Sequence, residues 1–212
     1  MQQLISGIHL FRQGELGQYQ ELFRRLSREG QHPHTLFITC SDSRVLAELI
    51  THSKPGDLFV VKNIGNIVPA ADSGGSPNST AAAIEFAVHT LGVSDIVICG
   101  HSQCGAMTAL LETASKQESM PHLHDWLAVA YPVRQLIDRD YRHLTSGEDR
   151  INAAALENVL FALENLRTYP VVQARLSSGT LRLHGWFFKI STAEIFAYDS
   201  SQHQFQLINQ IS

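Results

Sequence analysis

Two short stretches of the sequence carry residues whose types and spacing suit chemistry. CSDSR, residues 40 to 44, places a cysteine, an aspartate and an arginine within five positions, and CGHSQC, residues 99 to 104, places a histidine between two cysteines. Each follows an apolar run, LFIT before Cys40 and DIVICG before His101, and such runs read as buried strands that end in polar loops. In open parallel α/β sheets the binding crevice lies beyond the carboxyl ends of the strands, so neighbouring strands here bring Cys40, His101 and Cys104 together. Two thiolates and an imidazole are borderline-soft donors suited to zinc, and a set of three leaves one coordination position for water or substrate. The H-x-x-C spacing allows ligation from one turn, but it does not secure the distant Cys40. On spacing alone, a redox or nucleophilic thiol stands beside the zinc reading.

The neighbouring residues divide in the same way. Asp42 and Arg44 serve either to orient chemistry at the cluster, with the guanidinium fork holding the carboxylate, or to form a turn that caps the next helix. Cys99, enclosed by Ile98 and Gly100 in the apolar run, reads as core filler. His101 has a partner at ligand spacing beside a strand end, whereas His32, His34, His122, His124, His143 and His203 stand in polar or helix-surface contexts.

The elements that must position these residues follow from periodicity. Helical spacing predicts helices over 2 to 13 and 18 to 29, a short one near 45 to 52, one over 79 to 91 capped by Ser79 or Thr80, and one near 104 to 114. Further helices are predicted at 122 to 143 and 150 to 167, with Tyr169-Pro170 marking a break. Strands are predicted at 36 to 40, 58 to 62 and 95 to 100, and a final antiparallel pair at 181 to 190 and 194 to 199. Alternating strands and helices followed by a β pair predict an α/β fold, with a mainly parallel sheet and an antiparallel edge. One domain of 1–212 is expected, with a helical arm at 1–30, an α/β core bearing the zinc site at 35–120, and a helical and β part at 121–212. The segment DSGGSPNS, 72 to 79, is a surface excursion.

A chain of 212 residues, 44% apolar and 17% charged, has the material for one sizeable core. A formal net charge of -4 gives no electrostatic reason to expect a nucleic acid or an anionic membrane as partner. No stretch reaches the roughly 18 apolar residues of a membrane span, and MQQLISGIHLFRQG lacks the pattern of a secretory signal, so a cytoplasmic location is expected. Three cysteines do not form a disulfide framework.

CSDSR at 40 to 44, GDLFVVKNIGN at 56 to 66, AAIEF at 82 to 86 and CGHSQCGAM at 99 to 107 resemble the β-class carbonic anhydrases. The resemblance extends through ENVL, TYP and LHGWFFKI and is strongest to the bacterial and cyanobacterial branch, including the carboxysomal kind. It implies one zinc ion per chain on Cys40, His101 and Cys104, with water or hydroxide in the fourth position, and reversible hydration of carbon dioxide to bicarbonate. It implies that Asp42 orients the zinc hydroxide while Arg44 keeps that carboxylate off the metal. It further implies that Gln31 donates a hydrogen bond to substrate, that Phe59 lines the pocket, and that Gly105 offers backbone N–H near the site. A homodimer or dimer of dimers is implied, formed through N-terminal helices and sheet edges, in the cytoplasm or in a carboxysome. Phe86, Ala47, Ile64 and Lys62 stand where the family usually has tyrosine, proline, alanine and arginine. Phe37 replaces the tryptophan of the subgroup with a noncatalytic bicarbonate pocket, which favours the type whose zinc bears water. Rival readings are a non-catalytic zinc scaffold or bicarbonate sensor, a carbon disulfide hydrolase, and a thiol redox protein using Cys40 and Cys104.

Overall fold

The computed structural model describes residues 1–72, 77–112 and 119–208. Six strands form one sheet: β1 (Thr35–Cys40), β2 (Leu58–Asn63), β3 (Asp95–His101), β4 (Arg182–Lys189), β5 (Glu194–Asp199) and β6 (Gln204–Leu207), in the order β2-β1-β3-β4-β5-β6. The first four are parallel, and β5 and β6 run antiparallel at one edge. The chain leaves β1 to one side for β2 and returns to its other side for β3. The strand order therefore reverses at β1, and a crevice opens beyond its carboxyl end.

Strand β1 is buried at all six positions because both sheet faces are covered. Leu36 and Ile38 enter one core with Ile84, Val159 and Leu166, while Phe37 enters the opposite one with Val97, Cys99 and Phe188. The first face is covered chiefly by α8 (Gly147–Leu166), whose buried side includes Ala154, Ala155, Asn158, Val159, Ala162 and Leu166. Small residues let this helix lie close to the sheet. A Cβ added to Gly100 in β3 would lie 2.8 Å from Val159 Cγ2 and 3.2 Å from the Ala155 carbonyl oxygen.

Several expectations are corrected. The helix expected over 79 to 91 is α4 (Ser79–Glu85), continued by a wider π turn over Phe86–Thr90. Its cap is Asn78, not Ser79 or Thr80, because the Asn78 side chain accepts hydrogen bonds from the N–H groups of Thr80 and Ala81. The segment 122 to 143 forms two helices, α6 (Pro121–Ala128) and α7 (Tyr131–Asp140). Pro132 causes the break, since its ring would clash with the carbonyl of Ala128 in a continuous helix. Pro170 likewise opens a helix, α9 (Pro170–Ser177), as a proline at a first helical position is free to do. Strand β6 was not foreseen. The expected helix at 104 to 114 is α5 (Gly105–Leu111), and residues 113–118 and residues 73–76 of the 72–79 excursion lie outside the described residues.

Helices α1 (Gln2–Gln13) and α2 (Leu16–Glu29) form as expected, but neither contains a buried residue. Leu4, Ile5, Ile8, Leu10, Phe11 and Phe23 are exposed, and Phe11 meets Phe23 edge to face at 6.5 Å. The short helix α3 (Ala47–Thr51) follows the β1 loop. Among the described residues no helix is long and apolar enough to cross a membrane.

The close approach of α8 to β3 can be tested by overpacking. Gly100→Ala is expected to cost about 1–3 kcal/mol, or roughly 2–12 °C in thermal midpoint for a chain of this size. An unchanged midpoint in a melting experiment would show that the helix is not pressed on the strand there.

Candidate metal centre

Strands β1 and β3 are direct neighbours, and their carboxyl ends bring Cys40, His101 and Cys104 into one buried cluster. All candidate ligand atoms lie within 4.8 Å of one another, and the two sulfurs are 4.0 Å apart. The histidine has no exposed surface. Its Nδ1 lies 2.9 Å from the Ser102 carbonyl oxygen, which can only accept, so Nδ1 carries the proton and Nε2 keeps a lone pair. Nε2 is buried without a hydrogen-bond partner. A buried acceptor beside two sulfurs, with its tautomer fixed from behind, is the arrangement a metal ligand requires.

Electrostatics point the same way. A hydrogen bond from the Cys104 thiol, with smaller help from the N–H groups of Asp42 and Gly65, outweighs burial and lowers the pKa of the Cys40 thiol. Sharing that proton, together with burial, drives the Cys104 thiol up. Two adjacent buried sulfurs resist carrying two negative charges unless a cation joins them. Cys99 has no such company, and burial pushes its thiol up to about 12, which suits core filler.

Asp42 stands at the edge of this cluster, its Oδ2 3.9 Å from His101 Nε2. Arg44 grips it with two parallel bonds, Nε to Oδ1 at 2.9 Å and Nη2 to Oδ2 at 2.8 Å, and the Arg44 backbone N–H adds a third at 2.9 Å. These bonds hold the Asp42 carboxyl well below the usual carboxylate range, against the opposing effect of burial. The aspartate therefore closes a local turn and stands beside the cluster of Cys40, His101 and Cys104 at once.

The cluster is braced by residues that sequence reasoning passed over. Lys62 reaches from β2 to donate to the carbonyl oxygens of Val45 at 2.7 Å and Asp42 at 3.2 Å, pinning the loop. Gln103 adopts a left-handed φ of 54°, held by its N–H donating to Asn152 Oδ1 on α8. Ser102 receives the Ile190 N–H on its hydroxyl oxygen at 3.0 Å and donates its own N–H to Phe188, so the β4–β5 hairpin fixes the carbonyl that orients His101. Gly65, at φ 79°, donates its N–H to Cys40 Sγ at 3.4 Å, and a Cβ there would meet Ala106 at 2.8 Å. A lysine replacing arginine and a glycine after a strand were the available signals.

Other expected site residues are not brought to this cluster within one chain. Gln31 precedes β1, at the end opposite Cys40, and five steps along a strand at about 3.3 Å each separate Thr35 from Cys40 by roughly 16 Å. Phe59 in β2 is paired with Leu36, while Cys40 is paired with Asn63, so Phe59 also lies towards the far end. It packs against Phe86 of the π turn at 5.8 Å. Gly105 is exposed and opens α5 next to Cys104. Gly100, just before His101, leaves room for α8 to lie against β3.

Comparison with known proteins gives a consistent picture. Residues 35–195 match the family model described as carbonic anhydrase. A carbonic anhydrase of Synechocystis sp. is 47% identical over 205 residues, covering 97% of this chain and 73% of the relative. The solved structure of the β-carbonic anhydrase CcaA superposes with a TM-score of 0.93 at 46% identity, covering 99% of this chain and 92% of that one. A structure reported among two tetrameric β-carbonic anhydrases of Sordaria macrospora gives a TM-score of 0.83 at 32% identity, over 92% of this chain and 95% of the other.

The Asp42 clamp carries a pH signature. A carboxyl lowered by folding contributes stability that is fully present above its ordinary value, near 4, and is lost as pH falls through the lower folded one. Arg44→Ala in metal-stripped protein is therefore expected to melt about 0.4–4 °C below the parent at pH 5 to 8, as befits a partly exposed pair worth about 0.2–1 kcal/mol. The gap should close as pH falls below about 4. A gap that persists unchanged at pH 2.5 would rule out this origin.

Proposed function

This chain belongs to the β-class carbonic anhydrases, enzymes of reversible carbon dioxide hydration, and we propose that it works with one zinc ion held by Cys40, His101 and Cys104. The observation that carries this reading is the buried, unpartnered Nε2 of His101 beside two sulfurs 4.0 Å apart. Thiolates at about 2.3 Å from a tetrahedral zinc stand about 3.8 Å apart, so the site needs almost no adjustment. A zinc ion there supplies the acidification of water that makes a nucleophile available near neutral pH.

The remaining work falls to the chain's own residues. Asp42, kept ionised by Arg44, accepts a hydrogen bond from the nucleophile's hydroxyl and so aims its lone pair at the substrate carbon. Arg44 occupies both carboxylate oxygens and so keeps Asp42 from closing the ligand set itself. Lys62 holds the intervening backbone still. The exposed Gly105 N–H at the start of α5 serves substrate oxygen. Two thiolates would offset the charge of a bound cation and acidify its water less than three histidines would, so activity is expected to rise towards alkaline pH.

The chain functions as a homodimer or a dimer of dimers in the cytoplasm, with a carboxysome as the alternative location. Two features support assembly: the apolar residues of α1, together with Phe23 of α2, are exposed within the chain, and β2 is an open sheet edge. Gln31 and Phe59, which lie far from their own cluster, act in the site of a second copy.

Two experiments test these readings. Purified protein is expected to carry one zinc per chain and to hydrate carbon dioxide at a rate that rises from pH 6.5 to 9, while Cys104→Ser loses both metal and rate. Zinc without hydration would move the reading to a scaffold or sensor. Mixing Cys104→Ser with Gln31→Ala through subunit exchange is expected to recover activity above that of either parent, because each heterodimer contains one intact site. No recovery despite exchange, followed by mass spectrometry, would place Gln31 outside the partner's chemistry.

A further inference from the structure

The indole of Trp126, on α6, is unused by the mechanism above, yet its Nε1–H donates to the Ile64 carbonyl oxygen at 2.7 Å. That carbonyl belongs to the same peptide group as the Gly65 N–H, which donates to Cys40 Sγ at 3.4 Å. One rigid amide therefore joins the indole to the ligand sulfur, receiving a hydrogen bond at one end and giving one at the other. Bonds in such a chain polarise each other in the same direction. We infer that Trp126 is a positioning residue for the metal centre, setting the orientation and strength of the N–H bond on the Cys40 thiolate.

The surroundings of the amide favour this over simple packing. Asn63 brackets the turn, its side chain bonding both the N–H and the carbonyl oxygen of Ile67 at 2.9 Å. From the sheet side, buried Asn158 of α8 donates to the Gly65 carbonyl oxygen at 2.9 Å, while its own Oδ1 finds no partner among the described residues. A polar side chain kept in the core with half its capacity unmet is costly, and the contact it makes holds the residue that touches the ligand. Trp126 itself is half-buried against the cluster that contains Cys40, Cys104 and Met107. Removing the indole N–H weakens the bond on sulfur. The thiolate then donates more charge to the metal, and its position is less well fixed.

The inference rests on the metal site proposed above, so the parent protein is loaded first with zinc and then with cobalt(II). Failure to bind either metal overturns that site, not merely the role of Trp126. In Trp126→Phe, which keeps the aromatic ring, the sulfur-to-cobalt charge-transfer band is expected to move to longer wavelength. Zinc affinity in a chelator competition should fall about tenfold, at the low end for residues that orient ligands. Trp126→Gln, whose amide N–H lies as many bonds from the backbone as the indole N–H, should restore the band position. A band unmoved in Trp126→Phe, even with lowered thermal stability, would reduce Trp126 to a packing residue. If that variant fails to fold, a Trp126→Gln band displaced from the parent's overturns the inference equally.

Discussion

The structure turns on the cost of holding two cysteine sulfurs and an imidazole nitrogen together away from water. Without a cation the sulfurs share a proton, and the His101 nitrogen is left without a partner. The fold accepts this arrangement because strong backbone constraints over-determine it: β1 and β3 deliver two of the residues rigidly, and a left-handed turn at Gln103 brings the third round to them. Such local frustration at a site is tolerable when the rest of the domain is locally consistent. The apolar strands and the small-residue face of α8 provide that consistency.

The braces come from widely separated parts of the chain. Lys62 comes from β2, Asn152 and Asn158 from α8, Trp126 from α6, and the hairpin of β4 and β5 fixes Ser102. Apart from the bond to the Ser102 hydroxyl, each is directed at the backbone of a site loop, and all leave the reacting side chains free. This division explains how Asp42 can be gripped by three hydrogen bonds and still stand at the edge of the metal cluster. Backbone anchoring fixes geometry without consuming the groups needed for chemistry.

Much of this was legible in the sequence, for identifiable reasons. Continuous apolar runs ending in CSDSR and HSQC revealed the strands and the site because burial on both faces leaves no periodicity to misread. The break at Pro132 was overlooked, and the break expected at Pro170 is present but the helix that it opens was not foreseen, because a proline can begin a helix as well as end one. The Asn78 cap was displaced by one residue, since asparagine, serine and threonine in succession all suit the role. Braces such as Trp126 and Asn158 were invisible because their partners are backbone atoms 62 and 93 positions away, and a carbonyl has no sequence signature. Gln31 stands only nine positions before Cys40, yet the extended strand between them puts it at the opposite end of β1 from the cluster, a separation that sequence distance does not reveal.

The uncovered face of α1 and α2 has a consequence for biosynthesis. These residues leave the ribosome before the sheet they precede, and Leu4, Ile8, Leu10, Phe11 and Phe23 stay exposed once the core forms. The nascent arm emerges with this face exposed. If arms pair as proposed above, neighbouring ribosomes on one message hold them at high local concentration, so pairing can begin there before either chain is released. In a dilute setting the same segment becomes a binding site for chaperones or a seed for aggregation.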